Sequence, residues 1–206
     1  MTPDHIIDQQ IGSQGESVLA VSACTFARTF RSAHFDLNCD DRIESQLSDL
    51  LPSIRQALST AADGVGDGFT IRLLTMVAGI DDLPDVVLKV LRVLGAMSNP
   101  VMSVDRGELF DPSWWFRVDD HPVFVLALDS NLPPSHPRSI PQELGTWLIF
   151  QHRKAFTGRF REEIPMSVRC AIRRSFAAAG KSYQRECGVL PQTSDSTSQA
   201  TDGRKR

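Results

Sequence analysis

Residues 114–160 read WWFRVDDHPVFVLALDSNLPPSHPRSIPQELGTWLIFQHRKAFTGRF, and they decide the fold. The stretch holds all 3 tryptophans of the chain and 3 of its 5 histidines. Segments 115–118 and 123–128 are rich in Val, Phe, Trp and Leu, residues that suit a pleated, half-buried surface. Between them lies the polar turn Asp119-Asp120-His121-Pro122, so the pair predicts an antiparallel hairpin. A proline-rich loop follows, and then a third strand over 146–150, which delivers His152 just past its end.

Upstream, Ile43, Leu47, Leu50, Leu51, Ile54 and Leu58 recur at three- and four-residue spacing. They predict an amphipathic helix over 42–61, with Asp40 or Asp41 as its cap and Pro52 as a kink or break. The run Asp63-Gly64-Val65-Gly66-Asp67-Gly68 matches no phosphate-binding loop and reads as a flexible connection. Residues 69–77 are a candidate strand, and 83–97 a second helix, capped by Asp81 or Asp82 with Pro84 in its first turn. Residues 98–112 read as an acidic connection. Farther back, 18–26 fits either a strand or a helix start, and Arg28, Arg31 and His34 fall at helix-like intervals. These cations read as a solvated face or, alternatively, as a site for an anion.

Downstream, 165–179 predicts a helix carrying Arg169, Arg173 and Arg174, with Gly180 as its C-cap. The expected organisation is a flexible arm over 1–16, one domain over 17–190 and a disordered tail over 191–206. The fold class expected is α+β, a single domain with a partly antiparallel sheet packed by helices.

The chain has 206 residues, enough for one domain with a real core, and a net charge of −3, which gives no reason to expect a nucleic-acid partner. No apolar run approaches the roughly 20 residues that span a bilayer, and the N-terminus lacks a signal-peptide core. Both point to a cytoplasmic protein with no membrane partner. Cys24, Cys39, Cys170 and Cys187 show no paired spacing and read as thiols.

No G-x-S-x-G or H-E-x-x-H occurs, and Asp119-Asp120 reads as a solvated turn. His121 and His136 are too far apart in sequence to indicate a common zinc site. His152, in contrast, follows Leu148-Ile149-Phe150, and an imidazole at the rim of an apolar region suits a haem iron as well as a structural role.

The pattern Trp115-Phe116-Arg117-Val118, polar turn, Pro122-Val123-Phe124-Val125-Leu126-Ala127-Leu128, Ser/Pro/Arg-rich loop, Leu148-Ile149-Phe150-x-His152-x-x-Phe156 resembles the YqcI/YcgG family. Ile172-Arg173-Arg174 is similar to that family's I-R-x-R element, and residues 22–31 are weakly like its early C-P-F segment. The resemblance implies a haem-dependent monooxygenase that hydroxylates a nitrogen of a guanidino, arginine-like substrate with dioxygen or a peroxide. It implies haem b as cofactor, with His152 as the iron ligand. Two further roles follow from the chemistry of such a reaction. Asp129 is the favoured carboxylate for the guanidinium, ahead of Asp119 and Glu143. Arg138, with Arg153 or Arg159, would hold the haem propionates. The chain departs from the family in carrying Asp129 where the family has the histidine of its L-H-P run. It also has Phe150-Gln151 in place of N-P, and a polar C-terminal tail. These departures imply a divergent substrate or a lost activity. The rival readings are a non-catalytic haem-binding sensor or partner protein, and an α+β protein whose histidines are structural. Substrate identity and oligomeric state are not legible.

Overall fold

In the computed structural model, residues 30–38, 42–74, 82–98, 104, 115–155 and 166–181 are described. The arm over 1–16, the segment 18–26, both Asp40 and Asp41, most of 98–112 and the tail lie outside them. The protein is an α+β domain built on one mixed, five-stranded sheet. In chain order the elements are β1 (Ser32–Leu37), α1 (Ile43–Ala62), β2 (Gly68–Leu73), α2 (Leu83–Ser98), β3 (Phe116–Val118), β4 (His121–Asp129), β5 (Thr146–His152) and α3 (Met166–Ala178).

Across the sheet the order is β1-β2-β5-β4-β3. The first two strands are parallel, joined through α1, and every other neighbouring pair is antiparallel. The expected hairpin is β3–β4, and β5 inserts between it and β2. His152 is paired with Val123 and is therefore the last residue of β5, not a residue beyond the strand.

The period of two sorts the strands into two faces. On one, Phe69, Ile71, Phe116, Val118, Val123, Leu148 and Phe150 pack against Ile43, Leu47, Leu51, Ile54 and Leu58 of α1 and Leu88, Val90, Leu91 and Leu94 of α2. Each such side chain, fully buried, contributes about 1.5–3 kcal/mol. On the other, Leu128, Trp147 and Ile149 form a smaller cluster with Ile140 and the half-buried Phe30, Leu126 and Leu144.

Two expectations change. Arg31 and His34 do not lie on a helix, because His34 belongs to β1 and Arg31 directly precedes it, while Arg28 lies outside the described residues. Ala33, Phe35 and Leu37 face α1 while His34 and Asp36 face away, an alternation of two that the three-residue spacing of Arg28, Arg31 and His34 masks. The glycine run after α1 is also tied down. Gly64, at φ 80, gives its N–H to Ala61 O, and Val65 N–H reaches back to Thr60 O, which together make a Schellman cap. Asp67 N–H donates to Arg31 O, and the Asp67 carboxylate accepts Arg31 N–H, each at 2.8 Å. A Cβ on Gly68 would collide with the carbonyl oxygen of Phe150, so only glycine lets β5 come this close.

Helix α1 runs unbroken through the exposed Pro52, and Arg42 at its N-terminal cap position makes no side-chain capping bond. The predicted C-cap of α3 is present, as Gly180 N–H bonds Ala177 O and Lys181 N–H bonds Phe176 O. Cys170 lies on α3, and the other three cysteines fall outside the described residues. Among the described residues no helix is long and apolar enough to cross a membrane.

Candidate functional site

His152 is positioned by β-pairing from both sides. Its N–H bonds Asp67 O at 2.8 Å, and Val123 lies opposite it on β4. His121 stands two residues before Val123 on the same face, so the two imidazoles meet diagonally across β4 and β5. His152 Nε2 is 3.4 Å from His121 Nδ1, and the rings are edge-to-face.

The other nitrogen settles the tautomer. Lys154 N–H donates to His152 Nδ1 at 3.2 Å, so Nδ1 carries the lone pair and Nε2 the proton of the neutral ring. Nε2–H then points at His121 Nδ1. The ring is 3 % exposed, and its pKa is pushed down to about 4 by burial, then by the charges of His121 and Lys154. His152 is thus a neutral imidazole whose one lone pair is already spent within the chain.

Asp129 sits at the far end of the same strands, opposite Thr146. Six residues of β4 separate it from Val123, or about 20 Å at the rise of a strand. Its carboxylate is 1 % exposed and accepts Thr146 Oγ1–H at 2.7 Å and Asn131 N–H at 2.6 Å. Its backbone bonds Arg138 O and Ile140 N–H, so Asp129 pins the proline-rich loop to the sheet. Lys181 Nζ secures the same loop through Ser139 O.

The remaining candidates divide between these two ends. Arg138 is in the Asp129 loop, where its N–H donates to His136 Nδ1 at 3.1 Å. Burial, then the charges of Arg138 and Lys181, lower the pKa of His136. Arg153 follows His152 and lays its guanidinium 5.5 Å over the Trp115 ring. Asp119 accepts two bonds from Arg55 of α1, at 2.8 and 2.9 Å, and this pair holds its carboxyl below the usual range. Glu143 is exposed in a short 3-10 turn, and Arg159 lies outside the described residues.

The structure therefore joins His152 with Arg153, and separately Asp129 with Arg138, but does not bring the two pairs together. Both ring nitrogens of His152 already face partners, Lys154 N–H and His121, and the Asp129 carboxylate is buried and bonded to Thr146 and Asn131. The set as a whole does not fit haem. Among the described residues there is also no group of three or more His, Cys, Asp or Glu that could hold a metal ion.

One cluster was not foreseen from the sequence. On the face away from α1, His34 stacks on Trp147 with ring centroids 4.7 Å apart, and Arg72 lies over the same indole at 5.9 Å. Arg72 holds Asp36 with two bonds, at 2.8 and 2.9 Å. The signal was the alternation of apolar and polar residues from Ala33 to Leu37, which places His34 and Asp36 on one face.

No family model, curated protein or solved structure matches the chain.

Proposed function

We propose that this chain is a non-catalytic binding or partner protein that works without haem, and that its histidines serve the fold. The observation that carries this reading is the Lys154 N–H bond to His152 Nδ1, which occupies the lone pair an iron would need. The division of the other candidates between two ends of the sheet supports it, as does the engagement of Asp129 as a loop anchor. A surface for a partner is offered by the outer face of the β3–β4 hairpin, where Phe124 is 43 % exposed beside the half-buried Pro122 and Leu126.

Haem-dependent N-hydroxylation of a guanidino substrate is the second reading. Its support is that His152 is held neutral, the form of imidazole that binds iron. It requires the proton of His152 to move from Nε2 to Nδ1, the Lys154 amide to give way, and His121 to leave the path of Nε2.

Expression with haem supplied, followed by absorption spectra of wild type and His152→Ala, separates these readings. The expected result is a protein without a Soret band. A Soret band that is lost in His152→Ala would overturn the proposal. Arginine turnover would then select the N-hydroxylase, and its absence a haem sensor or carrier.

A further inference from the structure

Among the described histidines, His34 is the one with a buried ring nitrogen that has no hydrogen-bond partner. Thr70 Oγ1 lies 3.3 Å from His34 Nδ1 and 3.4 Å from the Ala33 carbonyl oxygen. A carbonyl can only accept, so the single hydroxyl proton goes to Ala33 O and Thr70 accepts from Nδ1–H. The lone pair of neutral His34 is then on Nε2, which is buried and has no hydrogen-bond partner. Asp36 Oδ1 lies 3.2 Å away, within ion-pair range, but a carboxylate oxygen cannot donate to the lone pair of the neutral ring. That oxygen already accepts from Arg72 Nε.

We infer that His34 is an acid-operated latch on the edge strand β1, neutral and stacked on Trp147 when closed, and opened when a proton from solvent is taken up at Nε2. Three elements pack around the ring: β1 with Asp36, β2 with Thr70 and Arg72, and β5 with Trp147. Asp36 favours the added charge and Arg72 opposes it, but burial outweighs both, so the folded site disfavours the imidazolium. An imidazolium formed there is cut off from water and shares one indole with a guanidinium.

Release is local because, among the described residues, β1 is paired on one side only, in a six-residue parallel ladder with β2. Its opening hydrates His34 and bares the edge of β2 from Gly68 to Leu73, a row of backbone donors and acceptors suited to an added strand. Openings of this kind need less free energy than global unfolding.

Amide hydrogen exchange of the full chain from about pH 7.5 to about pH 4.5, corrected for intrinsic rates, tests the latch across the imidazole range. Where the open state binds one more proton than the closed one, opening at 33–37 should become about tenfold more frequent per pH unit of acidification. Amides at 148–150 of the central strand should not follow with β1. In His34→Gln, which carries no titrating ring, the β1 dependence should vanish. In wild type, the ring of closed His34 should stay neutral across the window in which β1 opening depends on pH, a readout that holds even where the variant folds poorly. The latch is overturned if β1 opens equally often at all pH values, if His34→Gln keeps the dependence, or if β1 and β5 exchange only together.

Discussion

At the scale of single residues, His152 shows how burial sets chemistry. A histidine at the end of an apolar strand is more often structural than an iron ligand, but sequence gives its neighbours and not the direction of its lone pair. The register supplies that direction, by bringing His121 to Nε2 and turning the chain so that Lys154 N–H meets Nδ1. Burial pushes the folded pKa down to about 4, below the ordinary imidazole value of about 6.5, so the unfolded chain binds more protons between these values. The stabilisation from neutral His152 is complete above the unfolded pKa and is lost as pH falls through the window toward the folded one. Thermal unfolding should therefore show a midpoint that drops by several degrees, or about 2–3 kcal/mol, from this site as pH falls from about 6.5 to about 4. His152→Gln, which cannot titrate, should show a smaller drop over the same range. An equal drop in both proteins would assign the acid sensitivity to other groups.

Elements were legible where their pattern is local. The leucine spacing of α1 and the apolar side of α2 gave helices within a residue or two of those observed, and the β3–β4 hairpin followed from its turn. Strand β1 was missed because Arg28, Arg31 and His34 imitate a helical period, although Ala33 to Leu37 alternate in twos. The glycine-rich connection after α1 was misread as flexible because its restraints, Arg31 and Phe150, are distant in sequence. Pro52 is the one local signal overruled by packing. It stands in the interior of α1, exposed, while Leu51 and Ile54 on either side are buried against the sheet. Apolar burial thus offsets the missing N–H and the ring clash of an interior proline, which cost about 3 kcal/mol. Pro52→Ala should accordingly stabilise the protein, by about 1–3 kcal/mol in chemical denaturation. No gain would mean that the helix is already bent to relieve the ring, and that alanine restores nothing.

For the molecule as a whole, the α+β class was legible because predicted strands and helices alternate first and then give way to adjacent strands. The grouping of site residues was not. Asp129 and His152 are 23 positions apart in sequence, and both belong to the hairpin region. Only the antiparallel register of β4 and β5 places them at opposite ends of the sheet. A resemblance carried by the order of motifs is insensitive to that register, whereas iron chemistry depends on it. The most direct test of a haem-free role is one long-range proton–nitrogen correlation spectrum of the histidine side chains near neutral pH, recorded before and after adding haem. The account predicts that His152 appears as the Nε2–H tautomer and that haem leaves its signals unchanged. A His152 ring protonated on Nδ1, or broadened beyond detection by the haem iron, would contradict it.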